Sequence, residues 1–273
     1  MNTPFNISKQ WKDSFSWAFA ILAGIETIVA VSSISFEKIF EGQNWLIRLL
    51  CIFVLFLIIS AVTCLIKYLI SKRGVTVAVG NNTVTIKQGD IFKADGWKVI
   101  AFNEYFDTSV GNIISSTSLN GIFIEKHVSD INDLNNIIAS ETDDNTKYKR
   151  DTKNSRDVFP LGRIIPYKDE YMLLAFSHFD NNNAHLSTKD YEHCLRIMWN
   201  EISRTYNNRP IFIPLLGSGI TRFEDTPHND IDLLKCLLCT LRTSRAEIKQ
   251  PITILLKQGT LNNINLYELK GTK

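Results

Sequence analysis

Two long apolar runs, crowded into the first 70 residues, set the architecture before any other signal is read. Trp17 to Phe36 is twenty residues long and its only charge is Glu26. Leu49 to Ile66 carries no charge and is rich in Leu, Ile, Val and Phe. A bilayer core takes about 20 helical residues, so the runs predict two transmembrane helices at about 17–36 and 47–69. Trp17, Trp45 and Tyr68 sit near the ends, where interfacial aromatics belong. A buried helical hairpin is the rival reading, but two consecutive runs of this length are hard to bury in a 273-residue chain. No small-residue cleavage site follows the first run, which argues against a signal peptide.

Lys9 and Lys12 precede the first run, and Lys67, Lys72 and Arg73 follow the second. The connection holds Glu37, Lys38, Glu41 and Arg48, which balance. The positive-inside rule then puts both termini in the cytoplasm of a multi-pass membrane protein. Residues 1–15 form a cytoplasmic N-terminal segment, 16–70 a transmembrane hairpin and 74–273 a cytoplasmic domain. Glu26 is the odd residue, because a carboxyl group inside a span is expensive. It lines a polar seam or pore of an oligomer, or it is protonated and bonded to a hydroxyl such as Thr63. Ala23, Gly24, Ala30 and Ser33 allow close helix approach.

The net charge of +2 gives no electrostatic argument for nucleic acid. Five cysteines, an odd number, point to a reducing compartment rather than a disulfide scaffold. Cys236 and Cys239 form a lone C-x-x-C inside a Leu-rich helical pattern, which reads as packing. His127, His185, His193 and His228 have no metal-ligand spacing. No metal and no cofactor are expected.

From residue 74 the pattern becomes α/β. Val75–Val79 and Thr83–Lys87 flank a Gly80-Asn81-Asn82 turn and predict a hairpin. Trp97–Asn103 is the next strand. The Ser/Thr-rich segment Glu104 to Leu119, with an Asn120-Gly121 turn signal, follows its C-terminal end, where α/β sheets place ligands. Residues 130–140 predict a helix with Leu134, Ile137 and Ile138 inward. Residues 141–157 mix both charges and read as a solvated loop or insertion. Gly162–Pro166 and Tyr171–Phe179 form a strand pair. Ser187 opens a helix with Asp190 as its capping-box partner, running to about Tyr206. Thr226-Pro227 reads as the cap and first position of another helix, which carries Ile231, Leu234, Leu237 and Leu238. Strands at 251–257 and 264–270 close a mixed sheet with helices on both faces.

The sharpest local signal is Ile211-Phe212-Ile213-Pro214-Leu215-Leu216-Gly217-Ser218-Gly219-Ile220-Thr221-Arg222. Ile211–Ile213 suit a strand covered on both faces. Gly217 and Gly219 permit left-handed backbone and close approach of a ligand. Successive N–H groups there form an anion nest, with Ser218, Thr221 and Arg222 as phosphate donors. The bland alternative is a glycine turn after a core strand.

Three motifs in order, Gly89-Asp90-Ile91, Val99–Asn103 and Pro214–Gly219, resemble the macro domain, an α/β/α fold that binds ADP-ribose. The resemblance covers about residues 75–270. With two N-terminal spans it looks like the membrane effector of type II Thoeris, a bacterial anti-phage system. Phe102–Thr108 and Ser118–Gly121 resemble that subfamily's first ligand loop. The resemblance implies an inner-membrane effector and a signal made from NAD by a TIR-domain partner, an ADP-ribose derivative joined to histidine. Binding is followed by self-association and membrane disruption, with cell death or growth arrest.

Carried over by position, Asp90 accepts from the adenine amino group, with Ile91 beside it. Asn103 faces the distal ribose. Leu216, Gly217, Ser218, Gly219, Ile220, Thr221 and Arg222 wrap the diphosphate. Thr108 through Ser118, Leu119, Asn120 and Gly121 supply the opposing wall. Asp107 and Glu104 suit a cationic distal group. The bland rivals are a turn aspartate, a strand-end asparagine and surface carboxylates, and His178 reads as a core histidine. Hydrolytic macro domains usually carry Asn-Ala-Ala-Asn and a triple glycine. Here Glu104-Tyr105-Phe106 follows Asn103, and no Gly-Gly-Gly exists. That departure favours a sensor without catalytic residues over a membrane-tethered ADP-ribosyl hydrolase or a passive ADP-ribose-reading anchor.

Overall fold

The computed structural model describes residues 9–31, 42, 44–71, 74–141, 149–151, 156–180, 183–260, 264 and 266. They fall into two compact units, residues 1–75 with 265–272, and residues 76–264.

The first unit holds α1 (Lys9–Val31) and α2 (Trp45–Ser71). Helix α1 begins eight residues before the expected span, so Lys9 and Lys12 lie on the helix itself. Phe15 stacks on Phe56 at 5.8 Å, and Phe19 meets the same ring at 4.7 Å. Ser14, Ala18 and Ser60 are buried there, small side chains that let two helices approach closely. Elsewhere α2 exposes Leu, Ile, Val and Phe along its length. Such a surface is stable only against lipid or protein. Among the described residues one helix is long and apolar enough to cross a membrane, Trp45–Leu69. The last residues of the expected first span, 32–36, lie outside the described residues. Glu26 is exposed on α1. The Thr63 hydroxyl donates to Ile59 and Ser60 carbonyls of its own helix, at 2.9 and 3.0 Å. The Thr63 proton is thus used within its own helix, and among the described residues its hydroxyl bonds are to that helix and not to Glu26.

The second unit is built on one mixed sheet. Its strands are β1 (Val75–Val79), β2 (Asn82–Gln88), β3 (Trp97–Asn103), β6 (Ile164–Tyr167), β7 (Tyr171–Asp180), β8 (Asn183–Leu186), β9 (Ile211–Pro214), β10 (Arg222–Phe223) and β11 (Ile252–Leu256). The order is β1-β2-β11-β9-β3-β7-β8-β10, with β6 also on β7. The run from β2 to β7 is parallel, and β6 and β8 pair antiparallel with β7. β4 (Lys149–Asp151) and β5 (Arg156–Val158) form a separate antiparallel ladder. The charged stretch read as a solvated loop or insertion therefore contains paired backbone.

Helices cover both faces. Phe123 and Ile124 of α3 (Leu119–His127) and Leu134 and Ile138 of α4 (Ile131–Ser140) pack with Ile100, Phe102, Leu173 and Ala175. Phe176 alternates to the opposite face and meets Tyr191 of α5 (Thr188–Thr205) edge-on at 5.9 Å. Helix α6 (Asp230–Ser244) joins α5 through Trp199, fully buried with its indole N–H on Thr240 at 3.2 Å. Ser187 caps α5 as expected, its hydroxyl accepting from the Asp190 N–H.

Three expectations are corrected. Asn120-Gly121 is not a turn but the first turn of α3. Ser118 caps that helix by accepting the Gly121 N–H at 3.0 Å, and Gly121 is needed because a Cβ would lie 2.2 Å from the Ser115 carbonyl oxygen. Helix α6 starts after Asn229, whose side chain accepts from Asp232, rather than after Thr226. Asn229 is the better cap because its Oδ1 reaches the N3 amide. Of the strand expected at 264–270, residues 264 and 266 are described and neither is in a strand; the others lie outside the described residues.

Candidate ligand-binding site

The site follows from where the glycine loop begins and ends. β9 lies beside β3, whereas β10 lies beside β8. Residues 215–221 therefore run from one side of β3, β7 and β8 to the other, past the C-terminal ends of β3 and β7. Registers Asn103↔Ser177, His178↔His185 and His185↔Arg222 put Asn103, His178 and Arg222 at one level of the sheet. Carboxyl ends of parallel strands under a crossing loop are where α/β sheets hold ligands.

The loop is anchored at its start and open at its crown. Leu215 and Leu216 are buried, and the Leu215 N–H donates to Leu255 O at 3.2 Å. The Tyr191 hydroxyl donates to Leu216 O at 3.0 Å, and burial pushes that phenol well above its ordinary value. Gly217 takes φ 84°, left-handed backbone that costs a side chain dearly. Gly219 does not use left-handed backbone, contrary to the expectation for both glycines, and its surroundings are open. Ser218, Gly219 and Ile220 are exposed, and Ser218 closes the turn onto Leu215 O at 2.7 Å. Among the described residues, the backbone N–H groups of Gly217, Gly219, Ile220 and Thr221 have no protein acceptor. Free, adjacent donors are what an anion nest requires. Beyond the loop, Asp225 accepts the Thr188 N–H and hydroxyl, both at 2.9 Å. The Thr188 amide, first among its partners, lowers the Asp225 carboxyl below the usual range.

The opposite wall starts at Asn103. Its Oδ1 accepts the N–H groups of Tyr105 and Asp107 at 3.1 and 3.2 Å, and its Nδ2 donates to Asp107 Oδ2 at 2.8 Å. Asn103 thus folds its own loop. Asp107 is also paired with Arg156, whose guanidinium lies 4.0 Å over the Tyr105 ring. Phe106 has φ 49° and is buried, 5.6 Å from Phe102 and 4.9 Å from Phe159. A bulky residue in left-handed backbone is strained, and such strain concentrates at ligand clamps. Thr108 bonds Asn135 of α4 at 2.9 Å. The buried Oδ1 of Asn120 has no partner among the described residues. Asp90 is exposed and caps a 3-10 turn (Ile91–Lys93), accepting the Phe92 N–H at 3.1 Å, with Ile91 buried.

The register thus sets Asn103, with Asp107 bonded to it, at the same level as Arg222 at the end of the glycine loop, while Thr108 is bonded to α4 and Ser118–Gly121 open α3. Sequence reasoning missed two residues here, Tyr191 and Arg156, and the partner of Glu104. Tyr191 holds the glycine loop and Arg156 neutralises Asp107. Glu104 is buried and bonded to His178 Nδ1 at 2.7 Å. His178 is thereby a surface-facing ion-pair partner, not the core histidine expected. The only available signal was position: Phe176 and His178 share a face by alternation, and His178 lies two residues from the end of β7 at Asp180, where burial fades.

A helix-covered mixed sheet whose glycine loop crosses strand ends defines a macro-type α/β domain. The family model "Thoeris protein ThsA, Macro domain" matches residues 84–257. Thoeris protein ThsA of Bacillus amyloliquefaciens (strain Y2) is 37% identical over 270 residues, covering 93% of this chain and 88% of that protein. Solved structures of the Oceanobacillus iheyensis macrodomain with ADP and with MES bound are each 15% identical, with a TM-score of 0.46. Both cover 72% of this chain, and 94% and 95% of their own. The chain belongs to the Thoeris ThsA macro-domain family.

Proposed function

We propose that this chain is a membrane effector of bacterial anti-phage defence whose macro domain binds an ADP-ribose-type signal. The observation that carries the reading is the donor-rich loop 215–221 laid across the ends of β3 and β7, in a chain of the Thoeris family. The ligand is an ADP-ribose derivative, joined at its distal end to histidine and made from NAD by a TIR-domain partner. Leu216–Arg222 hold the diphosphate, Asp90 and Ile91 the adenine, and Asn103–Gly121 the distal side. Binding favours an assembled state in the inner membrane, and the hairpin then disrupts the bilayer. The first span, from Trp17, and cytoplasmic termini belong to this proposal.

Moving assembly from 1:99 to 99:1 requires about 10⁴-fold tighter binding to the assembled form, about 5.5 kcal/mol. A ligand held at a subunit boundary can supply that. Chemistry is not part of the reading, because Asn103 is committed to Tyr105 and Asp107 and so does not position a water.

The test is calorimetry of the full chain in detergent against ADP-ribose and its histidine conjugate, with dye leakage from vesicles in parallel. The conjugate should bind tightly and trigger leakage. Asp90→Ala should weaken binding about ten- to hundredfold by removing a charged acceptor worth about 1.5–3 kcal/mol. Absence of binding to either ligand would sink the sensor, and release of free ADP-ribose would make the protein a hydrolase.

A further inference from the structure

The two ligand loops are linked beneath the crossing loop by a row of ionisable groups. Glu104 opens the first loop. Its Oε2 meets His178 Nδ1 at 2.7 Å, its Oε1 accepts the Phe179 N–H at 3.2 Å, and its backbone carbonyl accepts the Phe159 N–H at 2.8 Å. Only 9% of Glu104 is exposed, so its charge requires a partner. The His178 ring lies 5.8 Å from that of His185 on β8. His185 Nδ1 lies within ion-pair reach of Glu224, two residues past Arg222, and its Nε2 lies 3.0 Å from Asp180, in both cases without hydrogen-bond geometry, so the contact is one of charge. The row therefore runs from the start of the first loop to the end of the second.

We propose that His178 and His185 are positioning residues for the ligand site: together they tie Glu104 of the first loop to Glu224 beyond the second and so hold both loops in binding geometry. The inference rests on the ADP-ribose reading for its ligand, but the tie exists without ligand.

The groups facing the two rings are Glu104 at the end of β3, Asp180 on β7, Asp190 on α5 and Glu224 after β10. All are carboxylates. Arg222, in register with His185, is the cation at this level. The His178 imidazole, hydrogen-bonded to the Glu104 carboxylate, binds best as a cation. His178 titrates above its ordinary value, first through the Glu104 hydrogen bond and against the effect of burial, with further help from the charges of Glu104, Asp190 and Glu224. The sign follows. The tie is complete below the ordinary histidine range and is lost as pH rises through the higher folded-state value. The ADP-ribose diphosphate stays ionised throughout that interval, so the ligand contributes no slope.

The experiment measures ADP-ribose affinity of the full chain in detergent from about pH 6 to about pH 9, for wild type and for the double variant His178→Gln, His185→Gln. Protection of loop amides 104–108 against hydrogen exchange is measured without ligand over the same interval. Wild-type affinity should fall about three- to tenfold across it, and protection should fall in step. The double variant should bind weakly with no slope, because Gln keeps a donor but cannot titrate. A merely structural role would weaken binding equally at every pH. A flat wild-type protection profile, or an unchanged slope in the double variant, would overturn the tie. Failure to bind ADP-ribose while protection remains pH-dependent would overturn the ligand reading and leave the tie standing.

Discussion

Gly217→Val is expected to weaken ADP-ribose binding by about tenfold or more while leaving the sheet folded. The residue sits at φ 84°, and a Cβ there would lie 3.3 Å from both Leu233 Cδ2 and Phe223 Cζ. A β-branched side chain in that backbone stores about 1–3 kcal/mol of strain. Leu215 is fixed to β11 and Leu216 to Tyr191, so the strain is relieved at the exposed crown, where the free N–H groups converge. The variant keeps its secondary structure but spends less time in the binding geometry, and each 1.4 kcal/mol is tenfold in affinity. Gly219→Ala is the matched control for stability, since that position has open space and ordinary backbone. Calorimetry with thermal melts checks both. Equal affinity for wild type and Gly217→Val would mean that the loop backbone does not contact the ligand.

Gly162→Ala should destabilise the second unit by about 2–4 kcal/mol, a large share of the roughly 5–15 kcal/mol a domain has. Here φ is 90°, and a Cβ would fall 2.5 Å from Ile197 Cβ and 2.6 Å from the Cys194 carbonyl oxygen. The second obstacle is helix backbone and cannot rotate away, so α5 must lift from the strand pair β6–β7. Because α5 carries Tyr191, lifting it also loosens the glycine loop. Denaturant titration should show a lowered midpoint, and ADP-ribose affinity should fall with it. Gly80→Asn, in an open hairpin turn at φ 58° that asparagine tolerates, should leave the midpoint within about 0.5 kcal/mol. An unchanged midpoint for Gly162→Ala would mean that α5 does not dock where it is placed.

The elements with strong local signals were legible in the sequence. The hairpin at 75–88, the helix capped by Ser187 and the glycine loop after Ile211–Pro214 all emerged near their observed boundaries, because turn chemistry and capping act over a few residues. Helix α3 was not legible. Its Asn120-Gly121 pair carries a turn signature, and what makes it helical is the Ser118 cap and a close approach to Ser115. The start of α6 was misplaced for a related reason: Thr226-Pro227 and Asn229 both offer cap chemistry, and local sequence does not choose between them. In the candidate site, the sequence names residues but not their pairings. Nothing local ties Arg156 to Asp107 or Glu104 to His178, which are 49 and 74 positions apart. Such partners meet only because the strand order brings them together.

That strand order also governs when the protein becomes competent during synthesis. β11, at residues 252–256, lies between β2 and β9. Until it emerges from the ribosome, the N-terminal hairpin has no parallel neighbour and β9 lacks one flank. The glycine loop gains its Leu215–Leu255 anchor only at that moment. Parallel pairing over such separations is slow to close, so the sheet and its glycine loop are completed long after residues 9–71 have been made.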